Sequence, residues 1–262
     1  MRHWQGKWAL ITGASAGIGA ALARELAAGG TNLVLTARRR DRLAGLAGEL
    51  STKHSIRTLV CVADLVQNSG PQEIFAFTED KKVTVDLLVN NAGFGAYGEF
   101  RKVELDRLLE MIQVNVSAVV HLTHLYLPGM IARRSGDILI LASAAAFQPV
   151  PYITTYAATK SFDLQFAEGL AEEVRQHGIR VCALCPGPTE SEFLEVAGQR
   201  HHTRLLPETA EKVARVGLRA LASGKSSVIS GFTNWLGAES VRFAPRSLVA
   251  RIAGSMFRPK GK

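Results

Sequence analysis

Apolar residues along this chain follow two alternating rhythms. Runs that are apolar at nearly every position, such as Asn32-Leu33-Val34-Leu35, Asp86-Leu87-Leu88-Val89 and Ile138-Leu139-Ile140-Leu141, fit strands covered on both faces. Side chains alternate across a strand, so both sets must then avoid water. Such runs recur near 7–12, 32–36, 57–62, 85–90, 137–142, 179–185 and 226–230, and segments with helical periodicity separate them. The alternation predicts a doubly wound α/β fold, a seven-stranded parallel sheet with helices on both faces. Ligands in such sheets bind at the carboxyl ends of the strands, where Gly13, Ala37, Asp64, Asn90, Ser143 and Pro186 fall.

The helical segment 155–177 carries Phe162, Phe166, Leu170 and Val174 at four-residue intervals, a stripe suited to the sheet. Ala157, Ala167, Gly169 and Ala171 are small enough for close contact with another helix. The segment 247–257 spaces Leu248, Val249, Ile252, Met256 and Phe257 as an amphipathic helix with a cationic side. Packing against the body or a sister subunit is expected of it in preference to lying on a membrane. No apolar stretch approaches bilayer-spanning length, and Met1-Arg2-His3-Trp4 leads straight into the first strand. A cytoplasmic protein without a signal peptide is therefore expected. Three cysteines make no disulfide framework. Cys182 and Cys185 stand three apart in an apolar strand and point to opposite faces, which makes them structural. His121 and His124 share a helical face without a zinc-type ligand set, so no metal is expected.

Two patterns carry chemistry. Trp8-Ala9-Leu10-Ile11 leads into Thr12-Gly13-Ala14-Ser15-Ala16-Gly17-Ile18-Gly19 and then the helix former Ala20 to Leu26. This reads as strand, glycine turn and helix. Glycines let the backbone approach a phosphate with no Cβ in the way, and the N–H groups of a helix start attract the anion. No Gly-Lys-Ser/Thr follows, which excludes a Walker loop, and the spacing is G-x-x-x-G-x-G in place of G-x-G-x-x-G. Further on, Tyr156 and Lys160 stand four apart, which on a helix sets a phenol beside an ammonium. A fixed cation favours the phenolate and lowers its pKa from about 10.

The glycine turn is joined by Asp64 after the third strand, Asn90-Asn91-Ala92-Gly93 after the fourth, Asn115, Ser143 after the fifth, Tyr156 with Lys160, and Pro186-Gly187 after the sixth. In that order, over nearly the whole length, the chain closely resembles the short-chain dehydrogenase/reductase family. The resemblance implies a Rossmann-type fold and an oxidoreductase that moves a hydride between nicotinamide and a carbonyl or alcohol. Ser143 and Tyr156 would hydrogen-bond the substrate oxygen, Tyr156 donating its proton. Lys160 would hold the nicotinamide ribose and depress the Tyr156 pKa, and Asn115 would help carry a proton through water toward Lys160. Gly13, Ser15, Gly17, Ile18, Gly19, Asp64, Leu65, Asn91, Ala92, Gly93, Pro186, Gly187 and Thr189 would line the cofactor site with Tyr156 and Lys160. Many relatives carry a threonine two positions past Thr189, where this chain has Ser191. Family members commonly pair through the helix at 155–177, so a homodimer or homotetramer is expected. The chain then reads as one domain, 1–262, with a substrate lid at about 188–206 and a C-terminal extension at about 238–262.

At the end of the second strand, Ala37 stands where a cofactor with free ribose hydroxyls would favour a carboxylate, and Arg38 and Arg39 follow. Cations there suit a 2′-phosphate and favour NADP(H) over NAD(H), although the same arginines could simply open a solvated helix. Phe94, Phe147, Val150, Tyr152, Phe193 and Leu194 come from the segments that should surround the reacting carbon and would form an apolar wall. Arg101 and Arg200 are the nearest cations and are expected to face solvent. A carbonyl substrate with an apolar body follows. The alternatives are a 3-oxoacyl thioester reductase and a non-enzymatic NADP(H) sensor or scaffold, and an intact Ser143, Tyr156 and Lys160 argue against the latter. The net charge of +8 raises nucleic-acid or membrane binding, but no nucleic-acid motif accompanies it. The expected partners are a small substrate and other copies of the chain.

Overall fold

The computed structural model describes residues 3–193, 197–198 and 207–259. Leu194, Arg200, Lys260, Lys262 and much of the expected lid lie outside the described residues. Seven strands, β1 (Trp8–Thr12), β2 (Asn32–Ala37), β3 (Thr58–Val62), β4 (Val85–Asn90), β5 (Gly136–Leu141), β6 (Ile179–Cys185) and β7 (Ser227–Ile229), form one sheet. Every pairing is parallel, and the order is β3-β2-β1-β4-β5-β6-β7. The chain winds outward from β1 to β3, returns to β4 beside β1 and winds out the other way. A crevice opens at that reversal, at the carboxyl ends of β1 and β4.

Helices α1 (Gly17–Ala28), α2 (Arg40–His54) and α7 (Ala210–Ala222) cover one face, and α3 (Gly70–Asp80), α5 (Ala118–Arg133) and α6 (Thr154–Val174) cover the other. Alternate residues of each strand supply two cores. Ile11, Leu33, Leu35, Leu87, Val89 and Leu184 meet Leu22, Leu26, Leu43 and Leu218. Leu10, Val34, Leu88, Ile138 and Ile140 meet Ile74, Leu122, Met130 and Leu164. Cys182 lies in the first core and Cys185 in the second, both as free thiols, as the strand alternation requires.

Two expectations change. On α6 the sheet-facing residues include Ala157, Lys160, Asp163, Leu164, Ala167, Leu170 and Val174, while Phe162 is exposed and Gly169 meets nothing. A four-residue step overshoots one turn by about 40°, so Phe162 and Val174 point about 120° apart and cannot share the sheet. Ala157 and Ala167 are consequently spent on the core side. Secondly, α4 (Leu105–Ile112), a π-turn at Gln113–Ser117 and α5 run on as one 29-residue helix, long and apolar enough by length and composition to cross a bilayer. Its Val114, Ala118, Val119, Leu122 and Met130 sit in the second core.

Candidate active site

The glycine turn is fastened to β4 before any ligand is considered. The backbone N–H groups of Asn91 and Ala92 donate to Thr12 Oγ1 at 2.9 Å each, and Thr12 Oγ1 donates to the Val89 carbonyl at 3.2 Å. Asn91 Nδ2 donates to the Thr12 carbonyl at 2.8 Å. A Cβ on Gly13, where φ is +65°, would lie 2.9 Å from Ala92 Cα, and one on Gly19 would lie 2.4 Å from the Gly13 carbonyl oxygen. Both glycines therefore serve close backbone packing. Helix α1 starts at Gly17 with no side-chain cap and no acidic residue in its first turn. Its free N–H groups leave the cap to an incoming anion.

A cavity of about 310 Å³ runs along the crevice. It is lined by Gly13, Ser15, Gly17, Ile18, Gly19, Arg38, Arg39, Asp64, Leu65, Asn91, Ala92 and Gly93, and closed on one side by Ser191, Glu192 and Phe193. Arg38 is exposed and makes no ion pair among the described residues. Arg39 donates from Nη2 and Nε to Ser15 Oγ at 3.0 and 3.2 Å, and from Nη1 to Glu192 Oε2 at 2.8 Å. Arg42 reaches the other oxygen of Glu192. The pKa of the Glu192 carboxylate is lowered by the hydrogen bonds from Arg42 and Arg39. Nothing in the linear sequence marks that contact, because its partners stand about 150 residues apart.

Asn115, Ser143, Tyr156 and Lys160 are not in the cavity wall; they cluster next to Gly93, Phe94, Leu141 and Phe193, which are. Tyr156 and Lys160 are buried on α6. Lys160 Nζ donates to the Leu141 carbonyl at 2.6 Å and to Asp163 Oδ2 at 2.9 Å. Asn115 sits in the π-turn, where the widened helix turns its amide inward. Its Oδ1 accepts from Phe94 N at 3.1 Å, and its Nδ2 donates to Phe94 O and Thr159 Oγ1 at 3.0 Å each. A Cβ on Gly93 would stand 3.1 Å from Asn115 Oδ1 and 3.4 Å from Lys160 Nζ. Gly93 thus keeps open the ground above both groups. The Ser143 hydroxyl acts to lower the pKa of the Tyr156 phenol, and its Oγ accepts from Ala145 N at 3.1 Å.

The chain matches the family model described as short chain dehydrogenase over residues 7–201. It belongs to the short-chain dehydrogenase family. It is an oxidoreductase of that family, acting on CH–OH or C=O groups. One relative, the very-long-chain 3-oxoacyl-CoA reductase of Anas platyrhynchos, is 35% identical over 226 residues, 84% of this chain and 72% of that one. Among solved structures, a short-chain dehydrogenase from Sphingobium yanoikuyae in complex with NADPH aligns with a TM-score of 0.82 at 25% identity, over 98% of each chain. A 7beta-hydroxysteroid dehydrogenase aligns with a TM-score of 0.87 at 26% identity, over 97% of this chain and 98% of that one.

In this short-chain dehydrogenase the electrostatics around Tyr156 are a contest. Burial pushes the phenol above its ordinary pKa, and the pull of Lys160 and Ser143 in the other direction does not overcome it. The Phe193 ring, 5.1 Å from the Tyr156 ring, is part of that burial. The sequence-based expectation of a depressed tyrosine is therefore reversed in sign, although Lys160 acts in the expected direction. For Lys160, burial pushes the pKa down, but the Asp163 carboxylate and then Tyr156 push it up and prevail.

Asp163 was missed by motif reading, yet it had a signal. Tyr156, Lys160 and Asp163 lie at i, i+4 and i+7 on one helical face, and a carboxylate on the core side of an apolar helix asks for a partner. Other candidate residues fall elsewhere. Pro186, Gly187 and Thr189 are not in the cavity wall: Thr189 Oγ1 donates to Gly187 O at 3.0 Å, and a Cβ on Gly187 would meet Asn234 at 2.2 Å. Of the apolar wall, Phe94 and Phe193 line the cavity. Phe147 packs on the second core, and Val150 is buried. Tyr152, held at φ +69°, faces a separate small pocket with Phe100 and Leu108.

Proposed function

We propose that this protein is an NADP(H)-dependent reductase of ketones or aldehydes with an apolar body, or the corresponding alcohol dehydrogenase. The observation that carries the reading is a cavity walled by an uncapped helix start, by Arg38 and Arg39, and by Gly93, Phe94, Leu141 and Phe193, which touch the cluster of Asn115, Lys160 and Tyr156 lying next to it. That layout suits an elongated dinucleotide: anionic at the pyrophosphate, doubly anionic at a 2′-phosphate, and flat at the ring end. The NADPH complex of a structural neighbour supports the same cofactor. Bound there, the reduced nicotinamide supplies the hydride for the carbonyl carbon.

The chain's own residues do the rest. Tyr156 and Ser143 hold the carbonyl oxygen between two hydroxyls, which stabilises the charge that develops on it. Burial keeps Tyr156 protonated near neutrality, the form that a reduction needs from its acid. Lys160 lies 6.0 Å from the Tyr156 ring centroid and favours the phenolate once the proton has left. Asn115 holds the Phe94 backbone and so the floor of the pocket. Phe94 and Phe193 exclude water from the reacting centre.

The apolar lining supports a substantial hydrocarbon body over a small keto acid, and the steroid and long-chain acyl substrates named for the relatives point the same way. The 3-oxoacyl thioester reading has its own support in the 35% identical relative named for that activity. A panel of ketones of rising apolar size, matched keto acids and 3-oxoacyl thioesters, each with NADPH and NADH, tests the proposal. Higher catalytic efficiency for bulky ketones with NADPH is expected. Preference for the short keto acids, or for NADH, overturns it, and preference for the thioesters selects the second reading.

A further inference from the structure

Helices α8 (Phe232–Ser240) and α9 (Arg246–Phe257) bury only Ala238, Val249 and Ala253. Phe232, Trp235, Leu236, Phe243, Leu248, Ile252 and Met256 are all exposed, Phe243 by 90%. The spacing aligns them: Leu248, Ile252 and Met256 follow one flank of α9, and Phe232, Trp235 and Leu236 share a face of α8, with the first two rings stacked at 5.7 Å. The body of the protein, which the sequence reading offered as a cover for this segment, takes only the Val249 and Ala253 side of α9. The two helices and the Phe243 turn that joins them thus carry seven exposed large apolar side chains, and exposed apolar surface of this kind marks an interaction site.

Charge decides between occupants. From Phe232 to Pro259 the sole carboxylate is Glu239, already paired with Arg242 at 3.1 Å. Arg246, Arg251 and Arg258 are exposed and make no ion pair among the described residues. Arg251 lies on the helix beside the Leu248 stripe, and Arg258 follows its last turn in extended backbone. A second copy docked through this face would bring two sets of arginines to one self-complementary seam with no free carboxylate to meet them. Another exposed apolar face, with Leu105, Leu109 and Ile112 on α4, is interspersed with Glu104, Asp106, Arg107 and Glu110, and suits a sister copy better.

We propose that α8 and α9 form a docking surface for an anionic lipid bilayer, with Phe232, Trp235, Phe243, Leu248, Ile252 and Met256 entering the headgroup region and Arg246, Arg251 and Arg258 meeting lipid phosphates and carboxylates. Interfacial helices bind by this combination of apolar area and cationic flank. The surface also borders the substrate side. Tyr97 Oη donates to the Phe257 carbonyl at 2.8 Å, and a Cβ on Gly254 would lie 3.3 Å from Pro151. Helix α9 therefore rests on the loops that follow β4 and β5, so an apolar molecule dissolved in the bilayer would be delivered next to the pocket.

The test is sedimentation of the full chain with vesicles of phosphatidylcholine alone and of phosphatidylcholine mixed with phosphatidylserine. Three free arginines give a preference for the anionic vesicles on the order of a hundredfold, lost in high salt. Trp235 provides a second readout, since Trp4 is fully buried and Trp8 is partly buried: its emission should shift blue on anionic vesicles. Replacing Leu248, Ile252 and Met256 with Asp should abolish binding, and Arg246, Arg251 and Arg258 to Gln should remove the anionic preference. Both variants should keep the wild-type melting temperature and NADPH affinity. Three results overturn the proposal: no sedimentation with anionic vesicles, equal binding to neutral ones, or a concentration-dependent dimer that the Asp variant dissociates while vesicles leave the wild type in solution.

Discussion

Removing the Asp163 carboxylate should strip the candidate catalytic lysine of its counterion. Lys160 Nζ and Asp163 Oδ2 lie 2.9 Å apart, with side-chain exposures of 5% and 0%. Burial alone would push the carboxyl up and the ammonium down, and their contact opposes both shifts. In Asp163→Ala the ammonium keeps only the Leu141 carbonyl. Breaking a buried pair by deleting one partner costs about 3–5 kcal/mol, and at this chain length each kcal/mol moves the melting temperature by about 2–4 °C. The variant should melt about 6–20 °C lower, and Asp163→Asn, which keeps an acceptor without the charge, should fall by less. The pH dependence carries the sign: a lysine whose folded pKa is raised contributes stability that is fully present below its unfolded value and is lost as pH climbs through the folded one. The wild type should therefore lose stability above about pH 10.5, and the variant should lose less there. Calorimetric melts across pH, with NADPH titrations alongside, measure this. An Asp163→Ala protein melting within about 2 °C of wild type would mean that Lys160 does not depend on this counterion.

Other expectations follow from the same geometry. Arg38→Glu removes a charge-assisted bond worth about 1.5–3 kcal/mol and should weaken NADPH binding by about 10–100-fold while sparing NADH, which fluorescence titration of both cofactors would check. Gly93→Ala puts a methyl 3.1 Å from Asn115 Oδ1 and 3.4 Å from Lys160 Nζ, so turnover should drop far more than stability, which should fall by about 1–3 kcal/mol; paired kinetics and melts separate the two. Because burial raises the Tyr156 pKa, the rate of carbonyl reduction should stay level through neutral pH and the rate of alcohol oxidation should climb with pH. A reduction rate that falls with an apparent pKa near 7 would assign the proton to another group.

Strand positions were legible in the sequence because strands buried on both faces must be apolar throughout, and the glycine turn was legible because few other sequences pass tightly from strand to helix. Tyr156, Lys160, Ser143 and Asn115 were named from motif order, and the sheet topology brings them to one end of the crevice. What escaped depended on orientation or on distant pairing. A four-residue stripe drifts around a helix, so Phe162 left the sheet face. Glu192 reached Arg39 and Arg42 across the cleft, a contact made only by folding. Phe147 and Tyr152 belong to the anticipated loop, yet Phe147 packs on the second core and Tyr152, in a left-handed turn, faces a separate pocket. The C-terminal apolar residues were visible as an amphipathic pattern, but a pattern cannot say whether the body of the protein will cover them.

Comparing the wild type with Tyr156→Phe in reduced-nicotinamide consumption on a bulky ketone, with NADPH affinity measured on both, tests whether Tyr156 is the proton donor. Only the phenolic oxygen is removed, so the ring still packs against Phe193 and the cavity keeps its shape. Turnover should fall by about 10²–10⁴-fold, the usual worth of a positioned acid, with NADPH affinity changed by no more than a few-fold. A Tyr156→Phe enzyme that turned over within about tenfold of wild type would contradict that role.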